Sequence, residues 1–86
     1  MPEISRFFGI IIAIYYNDHN PPHFHAKYGE YEVLIEIESG NILAGGVPQR
    51  ALDLIGEWRA LHSHELLADW RLAAERKPLN KIEPLE

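Results

Sequence analysis

The residues with chemical reach gather in one short stretch, Asp18-His19-Asn20-Pro21-Pro22-His23-Phe24-His25. Three of the chain's five histidines fall here, around a proline pair that fixes φ and supplies no N–H donors. The prolines hold the segment extended and stop a helix from running through it. His23 and His25 stand two apart, so on a strand both rings project from one face. Imidazole changes charge near neutrality and ligates metal ions. A polar loop feeding two same-face rings therefore reads as a site for proton transfer, metal binding or anion binding.

What lies opposite these rings depends on strand register, and the sequence supplies one. Tyr28-Gly29-Glu30-Tyr31 has glycine at the first central position, as a type II′ hairpin turn requires. That turn pairs Tyr28 with Tyr31, Ala26 with Val33 and Phe24 with Ile35, and sets these side chains with Ile37 on the core face. The other face then places Lys27 opposite Glu32, His25 opposite Leu34 and His23 opposite Glu36, with Glu32 diagonal to His25. A slip of one residue would turn the acids inward.

Three chemistries fit His19, His23, His25 and Glu36. As a metal centre, His23 and His25 are ligands, Glu36 or His19 is a third, and an open position is left for water; zinc is the first divalent ion to consider. As a metal-free acid–base site, one histidine takes a proton and another returns it, with Glu36 beside them. Cleavage of RNA is the fitting reaction, and Lys27 or Arg6 would then stabilise the phosphorane charge. As a purely structural cluster, the rings bond loop backbone and pair with Glu36, fixing the turn. Tyr15 and Tyr16 adjoin the motif, and one hydroxyl is within reach of it. His62 and His64 read as surface or C-capping residues, and Trp58 and Trp70 as core.

The elements that must position these residues follow from periodicity. Residues from Phe7 to Tyr16 are apolar on both alternating faces and read as one buried strand. Ile42-Leu43-Ala44 gives a short further strand, ended by Gly45-Gly46. Pro48 suits the first turn of a helix in which Ala51, Leu54, Ile55, Trp58 and Leu61 form one apolar stripe; Gly56 inside it suggests close packing there. Ser63 reads as the N-cap of a second helix carrying Leu66, Leu67, Trp70, Ala73 and Ala74. The tail, with Pro78 and Pro84, is either an extended strap or a partner-binding segment. The expected fold is α+β: a small antiparallel sheet of about four strands and a helical hairpin packed on one face. The chain reads as a single domain, 1–86, with sheet and histidine loop in 1–46, helical hairpin in 47–76 and extended tail in 77–86.

Composition narrows the classes further. Eighty-six residues at 47% hydrophobic content suffice for one small core. There is no cysteine, which excludes disulfide and thiolate chemistry and suits a reducing cytoplasm. A net charge of −5 argues against a surface made to coat nucleic acid, so RNA would need a local patch. The ten-residue apolar run is too short to span a bilayer, and no membrane partner is expected. A first strand apolar on both faces, with helices covering one, implies a homodimer or a heteromeric partner.

Ile4-Ser5-Arg6-Phe7-Phe8-Gly9-Ile10, the run from Tyr15 to Ala26 and Lys81-Ile82-Glu83-Pro84-Leu85 together resemble a family of small bacterial domains of unknown function. The family carries a Tyr-Tyr-Asp-Asp-His-Asn-Pro-Pro-His-Phe-His-Ala motif. Asn17 stands here where an acid is usual. The resemblance covers almost the whole chain. It implies a second small protein encoded nearby, in a toxin–antitoxin-like or DNA-regulatory gene pair. The expected function is accordingly an interaction module with the histidine loop as its surface. The alternative is a small hydrolase, either ribonuclease-like or metal-dependent.

Overall fold

Chain order is sheet order. The computed structural model describes residues 2–86. Five strands, β1 (Glu3–Phe7), β2 (Ile10–Ala13), β3 (His23–Tyr28), β4 (Tyr31–Glu36) and β5 (Ile42–Gly46), form one antiparallel meander, followed by helix α1 (Gln49–Ala74). This is the expected α+β architecture with one more strand than anticipated.

The β3–β4 register is the one the turn residues dictate. His23 faces Glu36, Phe24 faces Ile35, His25 faces Leu34, Ala26 faces Val33, Lys27 faces Glu32 and Tyr28 faces Tyr31. Gly29 has φ +59°, which glycine adopts without steric cost. Phe24, Ala26, Val33, Ile35 and Ile37 are all buried, joined by Ile10 and Ile12 of β2. Onto this face α1 lays Ala51, Ile55, Trp58 and Leu66. The Trp58 ring sits 5.4 Å from Phe7 and 5.9 Å from Phe24, so one side chain ties together the first and third strands. Each such fully buried side chain contributes about 1.5–3 kcal/mol. Tyr31 keeps its place on the core side of the ladder but is exposed, because it lies at the tip of the hairpin.

The apolar run from Phe7 to Tyr16 is not one strand. Phe7 pairs with Ile10, and Phe8 and Gly9 turn the chain between them with φ +49° and +79°. Positive φ at both central residues marks a type I′ turn, which matches the strand twist but favours Asn-Gly over Phe-Gly. An aromatic residue in the left-handed region costs roughly 1–2 kcal/mol. Phe8 therefore points into solvent, not into the core.

The two expected helices follow one another without a connecting loop, meeting at His62 within α1. A straight helix of 26 residues would be about 39 Å long, more than the 33 Å longest dimension of the molecule. The helix breaks at His62 (φ −124°, ψ 23°), one residue before the expected cap at Ser63. The bend leaves Leu61 outside the apolar stripe and exposed. Gly56 likewise faces open space: nothing lies within 4 Å of where its Cβ would be, so it marks no close packing.

The tail is a strap. Ile82 is buried and its N–H donates to Ile4 O at 2.8 Å, while Lys81 Nζ donates to Glu3 O. Trp58 Nε1 donates to Glu83 O, and the Asn80 N–H donates to Asp69 Oδ1. The outer edge of β1 is thereby covered. Strand β5 is exposed along its length, and a Cβ at Gly45 (φ +71°) would collide with the Glu32 carbonyl oxygen. No helix among the described residues is long and apolar enough to cross a membrane.

Candidate metal centre

The loop from β2 to β3 brings a carboxylate back over the histidines. Asn17 reverses the chain with φ +62°, a conformation that asparagine tolerates better than most residues. Asp18 follows, its Oδ1 accepting the His19 N–H at 3.1 Å. The Asn20–Pro21 bond is cis. Pro22 then starts the extended run, its carbonyl accepting the Ile37 N–H at 3.0 Å just ahead of the His23–Glu36 pair.

His23 and His25 share one face of β3 and converge on one oxygen. His23 Nε2 lies 3.0 Å from Asp18 Oδ2, and His25 Nε2 lies 3.1 Å from the same atom. The other ring nitrogens are held too: His23 Nδ1 is 2.8 Å from Pro21 O, and His25 Nδ1 is 3.0 Å from Glu32 Oε2. Trp70, from the part of α1 beyond the bend, lies 5.2 Å from the His23 ring and helps to bury it. Tyr15 meets His25 edge-on at 4.4 Å, through its ring and not its hydroxyl. On the strand ladder His25 stands between Ala13 and Leu34, so the site has apolar flanks.

All four ring nitrogens face oxygens that, with the acids ionised, only accept. Satisfying them together takes four N–H donors, whereas two neutral imidazoles carry one each. Two imidazolium rings would satisfy the contacts. So would a divalent ion seated between the two Nε2 atoms and Asp18 Oδ2, with both Nδ1–H groups still donating to Pro21 and Glu32. The two arrangements carry the same total charge. One ligand atom from each of Asp18, His23 and His25 lies within 4.8 Å of the others. Around zinc at about 2.0–2.1 Å, neighbouring ligand atoms are roughly 3.3 Å apart, close to the Asp18–histidine separations here. A ligand imidazole whose second nitrogen bonds a carbonyl or carboxylate has the supporting shell that metal sites use to fix tautomer and ring angle.

Asp18 is suited to the charged form. Partial burial pushes its carboxyl upward, but the His25 hydrogen bond, the His19 amide and the charges of His23 and His25 outweigh it and hold it below the ordinary aspartate range.

Of His19, His23, His25 and Glu36, His23 and His25 come together and the other two do not join them. Glu36 does face His23 on the ladder, but its carboxylate accepts a hydrogen bond from the Ser39 hydroxyl, and both His23 nitrogens are engaged elsewhere. The carboxylate in contact is Asp18. Within the described geometry His19 contributes its backbone N–H, and its ring is outside the cluster. Arg6 is paired with Glu3 at 2.8 Å. Glu32 meets His25 on the expected diagonal. Asp18 stood in the motif all along; five residues before His23, it reaches the rings only because Asn17 and the two prolines fold the loop back.

Sheet, bent helix and histidine–aspartate cluster together define a small α+β domain with one polar centre. The chain belongs to a family described as a domain of unknown function, DUF4160, which matches residues 9–71. No curated protein and no solved structure matches it.

Proposed function

We propose that this domain holds a divalent metal ion, zinc by preference, through Asp18 Oδ2, His23 Nε2 and His25 Nε2, and that the centre serves hydrolysis. The observation that carries this reading is the shared corner: four ring nitrogens meet three acceptor oxygens, and both Nε2 atoms converge on the one Asp18 Oδ2, where an ion would be held by all three residues. Two nitrogens and one oxygen suit zinc, and three protein ligands leave a fourth position for water. Zinc lowers the pKa of bound water to about 7, which supplies hydroxide at neutral pH. Asp18 remains about one-quarter exposed, so solvent has access from the loop side.

Zinc titration with simultaneous thermal unfolding tests this. Binding should release protons and raise the melting temperature, by the equivalent of about 2.7 kcal/mol at a hundredfold excess over Kd. Asp18→Ala and His23→Ala should abolish both effects, and Glu36→Gln should keep them. No stabilisation at millimolar zinc, or equal stabilisation of His23→Ala, would overturn the assignment.

A second reading, an interaction module paired with a neighbouring gene product, draws on β5. Its unpaired edge exposes Ile42 and Leu43, the kind of edge to which a partner strand adds. Partner binding lost on Leu43→Lys, with no turnover in the isolated domain, would favour that reading.

A further inference from the structure

A second site lies at the far end of β3, five residues and about 17 Å from His23. There a cavity of about 350 Å³ is lined by Phe8, Tyr28, Arg50, Ala51 and Leu54. Its volume is at the small end of ligand pockets, and its walls pair aromatic and aliphatic surface with one cation.

Three features point to what it takes. Phe8 is held at φ +49° with its side chain 59% exposed, so the fold bears the strain of an aromatic residue in the left-handed region while gaining little burial from it. Tyr28 lies against the same turn, its Cε1 3.5 Å from where a Cβ on Gly9 would be. Arg50 has no ion pair or hydrogen bond through its guanidinium among the described residues. The first turn of α1 contains no acid, and Asp53 accepts a hydrogen bond from Gln49 Nε2 at 2.7 Å. In a chain with a net charge of −5, an uncommitted guanidinium beside two aromatic rings stands out.

We infer that this cavity binds a small aromatic anion, its ring packed between Phe8 and Tyr28 and its carboxylate or phosphate paired with Arg50. Guanidinium forms two parallel hydrogen bonds to either group, and aromatic rings pack edge-on or offset against each other. The inference is independent of the metal reading, since no residue is shared.

Amide NMR titration in the presence of EDTA tests it, with benzoate, phenyl phosphate, inorganic phosphate and benzyl alcohol as probes. The two aromatic anions should give saturable shifts centred on residues 8, 28, 50, 51 and 54. They should bind at least tenfold more tightly than phosphate or benzyl alcohol. Arg50→Gln should weaken benzoate and phenyl phosphate at least tenfold without lowering the melting temperature. Phe8→Gly should weaken them as well while raising the melting temperature, because glycine relieves the turn. The inference fails if neither aromatic anion gives saturable shifts, if phosphate alone binds as well as phenyl phosphate, or if Arg50→Gln binds both aromatic anions as the natural protein does.

Discussion

The β3–β4 and β1–β2 hairpins are each closed by two residues, and they close for different reasons. At Gly29-Glu30 glycine occupies the one position where the turn needs positive φ, and a Cβ there would meet nothing within 4 Å. At Phe8-Gly9 both residues are left-handed, and the first of them is an aromatic that the core does not use. Local preference makes the first turn. In the second, burial of Ile4, Phe7, Ile10 and Ile12 on either side overrides preference. The hairpin whose turn obeys the rules carries the histidines, and its two rings sit in a fully partnered polar network. The one that breaks them forms a wall of the cavity.

The largest expected effect removes what the two hairpins share. Trp58→Ala takes away the ring that touches Phe7 and Phe24 together, and should cost about 3–5 kcal/mol in urea unfolding. Amide exchange should speed up in both hairpins; a loss of protection confined to one would show that they are stabilised separately.

The turn substitutions should then differ in sign. Gly29→Val should destabilise by about 1 kcal/mol or more, since a β-branched residue resists positive φ. Phe8→Gly should stabilise by about 1 kcal/mol, by removing the same penalty. Equal effects of one sign would break the comparison.

A smaller effect concerns the strap behind β1, anchored where Asp69 accepts the Asn80 amide. Burial pushes the Asp69 carboxyl above its ordinary range, the Asn80 amide opposes that, and Glu65 adds to the rise. The folded state therefore holds this proton more firmly than the unfolded state. The stabilisation is complete below the ordinary aspartate value and is lost as pH rises through the raised one. Asp69→Asn keeps the acceptor and abolishes the titration, so its stability relative to the natural protein should improve across that window. Parallel stability profiles for the two proteins would contradict this.

Much of this was legible in the sequence. Alternation from Phe24 to Ile37 and the glycine at 29 determined the β3–β4 register, and with it the shared face of His23 and His25 and the Glu32 diagonal. The β1–β2 turn was hidden because Phe8 carries no turn signal and Gly9 alone reads as a small residue within a strand. The break at His62 was legible to within one residue from the two apolar stripes and Ser63, whereas the missing loop was not, because periodicity does not reveal how the chain passes from one stripe to the next. Asp18 was visible as a residue and invisible as a partner. Its contact depends on the path of the nine-residue loop between β2 and β3, whereas Glu36 followed from strand pairing, so pairing alone pointed to Glu36 and not to Asp18.

X-ray absorption at the zinc edge of the metal-loaded protein addresses the metal centre most directly. The predicted spectrum is one zinc per chain with two imidazole nitrogens and oxygen ligands at about 2.0–2.1 Å. In Asp18→Ala and His23→Ala that spectrum should disappear, and in Glu36→Gln it should be unchanged. A shell of oxygen atoms alone, or a two-imidazole signal that persists in His23→Ala, would contradict the assignment of Asp18, His23 and His25 as the metal ligands.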